Sequence, residues 1–368
     1  MSLLVSAQLA LDGRLAAGWV EIEGPRLTGA GRGAPPRVAD EQIEGILTPG
    51  LFDLQVNGAG GHEVSDGAEA LDAIDAIQLA HGVTSYLPTL VSADDQTAER
   101  ALPELAVRAE DPCSPVEGVH LEGPFLNPEH AGMHPVGRLR SPADGVPDWV
   151  EHPAVRLVTL APELPGALEL IVRLRDRGIA VAIGHSGADS EVALAAIDAG
   201  AGLVTHVFNA MPALDHRAPG LLAVALVDAR VHVSVIADGI HVHPLALELV
   251  RATAGPRAVL VTDATPPAGA PPGRYRMAGI PVELRDGAAR TDQGVLAGSI
   301  LTLDRAMRNW STMTNAALAE AVFAAAQAPA LATGTRGCLG EGMPANLLHL
   351  GLDGEIRRVM RGGRWLSF

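Results

Sequence analysis

Four residues, far apart in the sequence, have the side chains of a hydrolytic metal site. His185 lies in AIGHSGA, His206 in VTHVFNAM and Glu122 in HLEGP. Two imidazoles and a carboxylate are a known ligand set for catalytic zinc, which lowers the pKa of a water from 15.7 to about 7. Asp263, in LVTDAT, can accept a proton from that water and return it to a leaving amine. Together the four residues predict metal-dependent hydrolysis.

Taken singly, each of these residues also has a purely structural explanation. A lone histidine at the end of a strand is more often a hydrogen-bonded core residue than a metal ligand. Glu122 is equally suited to an ion pair, and Asp263, which precedes Thr-Pro-Pro, is equally suited to a turn. The metal-site interpretation therefore depends on a fold that brings the four side chains together.

The pattern of apolar runs predicts such a fold. Helical patterns, with apolar residues at i, i+3, i+4 and i+7, alternate with eight strand-like runs. These runs are GLFDLQV, VTSYLPT, EGVHLEG, VRLVTLA, IAVAIGH, GLVTHVF, VHVSVIA and AVLVTDA. Apolar strands that alternate with helices indicate a parallel sheet covered by helices, and eight such units close most economically into a (β/α)8 barrel. An open, doubly wound sheet is the alternative within the same α/β class.

The polar residues of interest follow these strands. The carboxyl ends of barrel strands converge on one face, which carries the active site. Glu122, His185, His206 and Asp263 all occupy such ends, as do Gln55 and Asn57 after the first strand. An open sheet would not bring all eight strand ends together.

The two ends of the chain differ from the middle, because they contain short strands and turns. We expect residues 1–47 and 337–368 to pair into a small β-sandwich domain, and residues 48–336 to form the barrel. A Pro- and Gly-rich stretch near 266–298 predicts a hairpin-bearing insertion that acts as a wall or lid of the site.

Composition excludes several functions. The net charge of −16 argues against nucleic-acid binding. All 27 basic residues are arginine, so Schiff-base chemistry, a Walker-type lysine and a metal-bridging carboxylated lysine are excluded. Cys113 and Cys338 are too few for a disulfide framework. Without an apolar run of about 18 residues or a basic leader, we expect no membrane association and a cytoplasmic location.

Several longer motifs occur in order along most of the chain. They are TPGLFDLQVNGAGG, HLEGPFLNPEHAGMHP, IGHSGA, THVFNAM, HRAPG, IADGIHVHP, LVTDAT and GVLAGS. With these motifs the chain resembles the N-acetylglucosamine-6-phosphate deacetylase family of the amidohydrolase superfamily. The resemblance implies a split β-domain around a barrel, a divalent metal and a homodimer. It also implies hydrolysis of an acetamide to acetate and glucosamine 6-phosphate.

The resemblance also implies roles for individual residues. Glu122, His185 and His206 would be the metal ligands, and Asp263 the catalytic acid and base. Further residues would polarise the acetyl carbonyl (His134), contact the sugar or its phosphate (Asn209 and Ala210) and bind the phosphate (His241 and Arg217). Arg217 would reach the active site of the partner subunit. The family's HREPG motif reads HRAPG in this chain, which keeps the arginine.

One departure concerns the superfamily as a whole. Many amidohydrolases have a His-x-His pair after the first barrel strand, where this chain has Gln55 and Asn57. Neutral amides are poor zinc ligands, and no lysine is present to bridge two metals. We therefore expect one divalent metal per subunit, with Gln55 at most an indirect partner. Zinc suits the ligands best, although iron, manganese or cobalt can occupy the same set.

Two other functions stay open from the sequence. One is a deacetylase for a related acetylamino sugar, either a galactosamine phosphate or an unphosphorylated sugar. The other is a non-catalytic barrel that binds a sugar or a metal. A scaffold has no reason to keep a general base beside three metal ligands, which favours the enzyme.

Overall fold

The computed structural model describes residues 2–335 and 339–367, and both ends of the chain join in one seven-stranded sheet. Its strands, in chain order, are β1 (Leu3–Leu11), β2 (Arg14–Glu23), β3 (Arg26–Arg32), β4 (Glu41–Pro49), β18 (Leu347–Leu350), β19 (Ile356–Arg361) and β20 (Arg364–Trp365). They lie in the order β20-β19-β18-β4-β1-β2-β3, and the pairing of β4 with β18 joins the two ends of the chain.

This sheet curls around a core of its own. Along β2, Val20 and Ile22 point inward while Glu23 faces solvent, as the alternation of strand side chains requires. Leu27 N donates to Met343 O at 2.8 Å, so β3 closes against the segment that precedes β18. β4 continues to Pro49, past the predicted domain boundary at 47. The other predicted boundary, at 336–337, and Cys338 lie outside the described residues.

Eight parallel strands form the centre of the molecule. They are β5 (Leu51–Val56), β8 (Val83–Val91), β9 (Val119–Glu122), β10 (Val155–Leu160), β11 (Ala180–Ile183), β12 (Leu203–Val204), β13 (His232–Val235) and β14 (Ala258–Leu260). Seven of them fall within the predicted runs, and β8 extends two residues beyond its run, VTSYLPT. A bridge between Val56 and Ala264 links the first strand to the segment after the last one, so the ring is nearly closed. The predicted class, a (β/α)8 barrel with a small β-domain from both termini, is confirmed, and the open-sheet alternative is wrong.

Helices cover the outside of this barrel. They are α1 (Ala68–Ala80), α2 (Asp95–Glu110), α3 (Ala167–Asp176), α4 (Ser190–Ala199), α5 (Gly220–Val227), α6 (Pro244–Ala254), α7 (Leu303–Thr314), α8 (Leu318–Val322) and α9 (Ala328–Ala332). Asp94 and Asp189 cap α2 and α4 by accepting from backbone N–H groups of the first turn. Within the described ranges, none of these helices has the length and apolarity to cross a bilayer.

Two small sheets lie at the active-site face of the barrel. Strands β6 (Gly58–Ala59) and β7 (His62–Glu63) form a short hairpin after β5. Strands β15 (Gly273–Met277), β16 (Ile280–Arg285) and β17 (Ala288–Thr291) form an antiparallel sheet within the Pro- and Gly-rich stretch. Met277 and Val282 of this sheet pack against Met133, which anchors it over the barrel mouth.

Candidate active site

Three buried side chains meet at the mouth of the barrel. Glu122, the last residue of β9, lies with its Oε1 atom 3.2 Å from His185 Nε2 and 3.1 Å from His206 Nε2. The two histidine Nε2 atoms are themselves 3.1 Å apart. Ligand atoms bound about 2.0–2.1 Å from a tetrahedral zinc are separated by roughly 3.3 Å, so the spacing fits one such cation.

The position of the proton on His185 also favours a cation at the centre of this cluster. His185 Nδ1 lies 2.9 Å from the carbonyl oxygen of His130, which only accepts, so Nδ1 carries the proton of the neutral ring. The lone pair of His185 Nε2 therefore faces the carboxylate of Glu122. Two lone pairs at this distance repel each other unless a cation lies between them. The His130 carbonyl also orients the ring, as carbonyls commonly do for metal-binding histidines.

Asp263 lies beside this cluster and is held by two amides from β5 and its following loop. Its Oδ1 atom accepts from Asn57 Nδ2 at 2.7 Å and from Gln55 Nε2 at 3.1 Å. The same Gln55 nitrogen donates to Glu122 Oε1 at 2.8 Å. Thr205 Oγ1 donates to Gln55 Oε1 at 3.1 Å, which fixes the orientation of the amide. Gln55 thus contacts the cluster as a donor through Glu122 and Asp263.

Burial and neighbouring charges set the protonation of these groups. Burial raises the pKa of Asp263 to about 6, and the negative charge of Glu122 adds to the shift. Burial opposes ionisation of Glu122 too, but the three histidines around its carboxylate, His134, His185 and His206, outweigh burial and hold its pKa well below the usual range. Burial is the main reason why the pKa of His134 is lowered to about 4. The site therefore holds one firm carboxylate, one carboxyl that titrates near neutrality and a neutral His134.

A cavity of about 400 Å³ opens above the cluster, within the roughly 300–1,000 Å³ typical of small-molecule sites. Glu122, His185, His206 and Asp263 form its floor. One wall comes from the insertion that carries β15–β17. The residues of that wall are Met277, Arg290, Val295, Leu296 and Gly298. The segment predicted as a wall or lid thus lines the cavity.

Residues 46–366 match the sequence profile of the Amidohydrolase family. The chain belongs to this family. Two similar proteins are an N-acetylgalactosamine-6-phosphate deacetylase from Escherichia coli O157:H7 and an N-acetylglucosamine-6-phosphate deacetylase from Bos taurus. The first is 38% identical over 91% of both chains. The second is 38% identical over 89% of this chain and 85% of its own.

Solved structures give the same relationship for this amidohydrolase. A mutant N-acetyl-D-glucosamine-6-phosphate deacetylase from Mycobacterium smegmatis, in complex with N-acetyl-D-glucosamine-6-phosphate, is 34% identical and superposes with a TM-score of 0.91 over 99% of both chains. The enzyme of that name from Thermotoga maritima is 26% identical, with a TM-score of 0.88 over 99% of both chains. The predicted family is confirmed.

The structure brings most of the other predicted site residues of this amidohydrolase to the same cavity. His134, Asn209, Ala210 and His241 all line it. His241 Nδ1 lies 2.7 Å from Asp238 Oδ2, which leaves Nε2 for a ligand. Asn209 Nδ2 donates to the backbone carbonyl of His206, which holds the Asn209 loop against the cluster.

Arg217 is the predicted site residue that the structure places elsewhere. It lies on an exposed loop after Met211, and its backbone N–H donates to Asp215 Oδ1 at 2.7 Å. The cavity of a single chain, as formed by the described residues, does not include it. The role of Arg217 in the site of a partner subunit stays a prediction.

Several site residues of this amidohydrolase adopt a left-handed backbone. Positive φ angles occur at Ser92 (36°), His185 (49°), His206 (26°), Ala210 (52°) and Asp263 (51°). All five directly follow barrel strands or lie in the loops after them. Such conformations cost of order 1–3 kcal/mol each and cluster at functional sites. Here the sharp turns direct the side chains over the barrel mouth instead of continuing along the strands.

Sequence reasoning assigned no role to three residues that support the site. Thr205 orients Gln55, as described above. Glu163, after β10, accepts from Ser186 Oγ at 2.7 Å and from Asn127 Nδ2 at 2.9 Å, which ties together the loops on either side of His185. Ser92 contacts His134, with Oγ 2.7 Å from Nδ1. The only sequence signal that could have identified these three residues is their position after barrel strands, and many other residues share that position.

Proposed function

We propose that this amidohydrolase hydrolyses the acetamide of N-acetylglucosamine 6-phosphate to glucosamine 6-phosphate and acetate. The observation that carries the proposal is the buried cluster of Glu122, His185 and His206 with Asp263 beside it at the floor of a cavity. The names of the similar proteins supply the substrate class. The dimeric assembly and the cytoplasmic location of this amidohydrolase stay predictions.

We propose that Glu122, His185 and His206 hold one divalent cation per subunit. When bound, such a cation polarises a carbonyl and brings the pKa of a water near neutrality. Zinc suits two imidazoles and a carboxylate, and iron, manganese or cobalt can use the same ligands. Gln55 has its donor nitrogen toward Glu122, so it supports the ligand set without joining it.

The remaining side chains would each have a separate role in cleavage of the amide. Asp263 takes the proton of the attacking water and delivers it to the departing amine nitrogen, for which a pKa of about 6 is well matched near neutral pH. Neutral His134 donates from Nε2 to the acetyl carbonyl oxygen as negative charge develops there. Gln55 and Asn57 keep Asp263 in place through its other oxygen.

Phosphate recognition would depend on a second group of residues. His241, whose Nδ1 atom is paired with Asp238, would present its Nε2 atom to the phosphate. Asn209 and Ala210 line the same cavity as His241. Arg217 of the partner subunit would complete the phosphate site, because a guanidinium binds phosphate through two parallel hydrogen bonds.

The test is acetate release by the purified protein, measured together with its metal content. N-acetylglucosamine 6-phosphate should be cleaved, activity should disappear with a chelator, and one equivalent of metal per subunit should restore it. Unphosphorylated N-acetylglucosamine should be a much poorer substrate. Absence of acetate release from every acetylhexosamine in the metal-loaded protein would leave the non-catalytic barrel as the better reading. Two tightly bound metals per subunit would contradict the single-metal site.

N-acetylgalactosamine 6-phosphate is a second candidate substrate. The similar protein from Escherichia coli O157:H7 bears that name and is as identical to this chain as the Bos taurus protein. The two sugars differ only in the orientation of one hydroxyl group. The ratio of kcat/KM for the two phosphates decides between them, since it measures discrimination directly.

Subunit complementation tests whether Arg217 acts in the partner's site. Arg217→Ala and Asp263→Asn variants should each be weakly active alone at low substrate concentration. In a mixed dimer, the site with intact Asp263 receives Arg217 from the other subunit. Random exchange should then restore about a quarter of the wild-type activity. No gain on mixing, with exchange verified by differently tagged subunits, would mean that Arg217 does not act across the interface.

A further inference from the structure

Arg290 is the only arginine among the described residues that line the active-site cavity. It lies on β17, in the insertion that forms one wall of this cavity. The floor carries the carboxyl groups of Glu122 and Asp263, in a chain whose net charge is −16. A fixed positive charge on the wall is therefore the feature of a single chain best suited to attract an anionic substrate.

The hairpin that carries Arg290 directs its side chain toward the cavity. Arg290 and Leu296 form an antiparallel bridge, so their side chains share one face of the hairpin. Leu296 also lines the cavity. The next residue, Ala297, points to the opposite face, where it is buried in a cluster with Met133 and Met277. The register of the hairpin thus places Arg290 on the side of the cavity.

The charge of Arg290 is not neutralised by its neighbours. In the part of the chain that the structure describes, its guanidinium makes one hydrogen bond, from Nη1 to the carbonyl oxygen of Gly294 at 3.0 Å, and no ion pair. Glu283 lies opposite Arg290 on β16 but does not pair with it. Nε and Nη2 therefore stay free along one edge of the guanidinium. Two parallel N–H groups on such an edge match two oxygens of a phosphate.

Arg290 lies on the wall of the cavity and away from its floor. The returning half of the hairpin reaches the floor at Gly298, where an added Cβ atom would lie 3.4 Å from Asp263 Oδ2. Arg290 lies opposite Leu296, two residues before that point. The acetamide that is cleaved must lie at the floor, beside Asp263. Arg290 therefore faces a part of the substrate farther from the reacting bond.

We propose that Arg290 is a specificity-determining residue that binds the phosphate of the substrate within its own subunit. This role rests on the proposed function, because phosphate is the only charged group of N-acetylglucosamine 6-phosphate. Arg290 lines the same cavity as His241, the other residue of the single chain assigned to the phosphate. Part of the phosphate site is therefore present before a second subunit contributes Arg217.

Arg290→Gln tests this role, because it removes the charge and the paired donors but keeps a long polar side chain. The matched control is Arg276→Gln on β15 of the same small sheet. Arg276 Nη2 donates to the carbonyl oxygen of Gly279 at 2.6 Å, so it makes the same kind of contact with a turn, but it is not among the residues that line the cavity. The readouts are kcat and KM of the metal-loaded protein for N-acetylglucosamine 6-phosphate and for N-acetylglucosamine.

Arg290→Gln should raise KM for the phosphorylated sugar about tenfold and leave kcat within about twofold. The factor is modest for a charged pair because Arg290 is exposed. kcat/KM for the unphosphorylated sugar should stay within about twofold, as should every value for Arg276→Gln. An unchanged KM in Arg290→Gln, an equal loss for both sugars, or an equal loss in Arg276→Gln would overturn the inference.

Binding without turnover separates this inference from the proposed function. Calorimetric titration with the two sugars, in protein that also carries Asp263→Asn, should show about tenfold weaker binding of the phosphorylated sugar in Arg290→Gln. If the protein with Asp263 intact releases no acetate but the titration gives this result, the hydrolytic function fails and the role of Arg290 stands. If acetate is released but both proteins bind the phosphorylated sugar equally, the role of Arg290 fails and the hydrolytic function stands.

Discussion

Changing Asp263 to asparagine removes the proposed acid and base with little other disturbance. Asp263 accepts both of its side-chain hydrogen bonds, from Gln55 and Asn57, through Oδ1. Asparagine retains an oxygen in that position, so both bonds survive. The change replaces only Oδ2 and removes a negative charge that Glu122 repels. We therefore expect the fold and its stability to be preserved.

The expected loss of activity is large. General acid–base catalysis contributes about 10²- to 10⁴-fold, equivalent to roughly 3–5.5 kcal/mol of transition-state stabilisation. kcat for acetate release from N-acetylglucosamine 6-phosphate should fall by that factor, with metal content per subunit unchanged. Glutamine at this position would add a methylene in a closed site, so asparagine is the cleaner probe.

The matched control is Asp75→Asn, the same chemical change at another buried aspartate. Asp75 lies on α1 outside the barrel, where its Oδ1 atom accepts from Tyr86 Oη at 2.7 Å. That variant should retain kcat within about twofold. Activity of Asp263→Asn within tenfold of wild type would remove Asp263 from the mechanism. Loss of metal in proportion to activity would instead assign Asp263 to metal binding.

Three further outcomes follow from the same contacts. Arg217→Ala should raise KM for phosphorylated substrate at least tenfold and leave kcat nearly unchanged, and a fall in kcat alone would contradict phosphate binding. Glu122→Gln should lower the metal content to below half an equivalent per subunit after dialysis, because it removes the only charged ligand. Elemental analysis measures this content, and full occupancy would show that Glu122 is not a metal ligand. Burial raises the pKa of Asp75 from 3.8 to about 6, so the folded protein binds this proton more tightly than the unfolded chain. Its contribution to the free energy of unfolding should therefore fall by up to about 3 kcal/mol as the pH rises from about 4 to 6. Urea titrations across that range should show a flatter pH dependence for Asp75→Asn, and an identical slope would contradict the shift.

The barrel and the position of its site could be predicted because both depend on local patterns. Apolar runs of strand length, separated by helical periods, are a property of neighbouring residues. Parallel strands connected through helices must all end on the same face. It follows that Glu122, His185, His206 and Asp263 had to lie near one another once the ring closed. The strand lengths were less predictable, since β12 has only Leu203 and Val204 in regular pairing.

Other parts of the site were beyond prediction from the residues. Arg217 is exposed on a single chain, and its predicted role depends on a second subunit, whose presence no local pattern specifies. Gln55 was assigned an indirect place from the chemistry of amides alone. Its actual contacts depend on Thr205, which lies 150 positions away in the chain.

By itself, the sequence determined the fold class, the face that carries the site, the four residue types that suit hydrolysis and the absence of any lysine chemistry. Only the tertiary structure decided the orientation and proton of the His185 ring. Residue type limits what a side chain can donate or accept, but the choice depends on partners within about 3 Å. For His185 that partner is the carbonyl of His130. These distances exist only after the strands have closed into the barrel and their loops have turned inward.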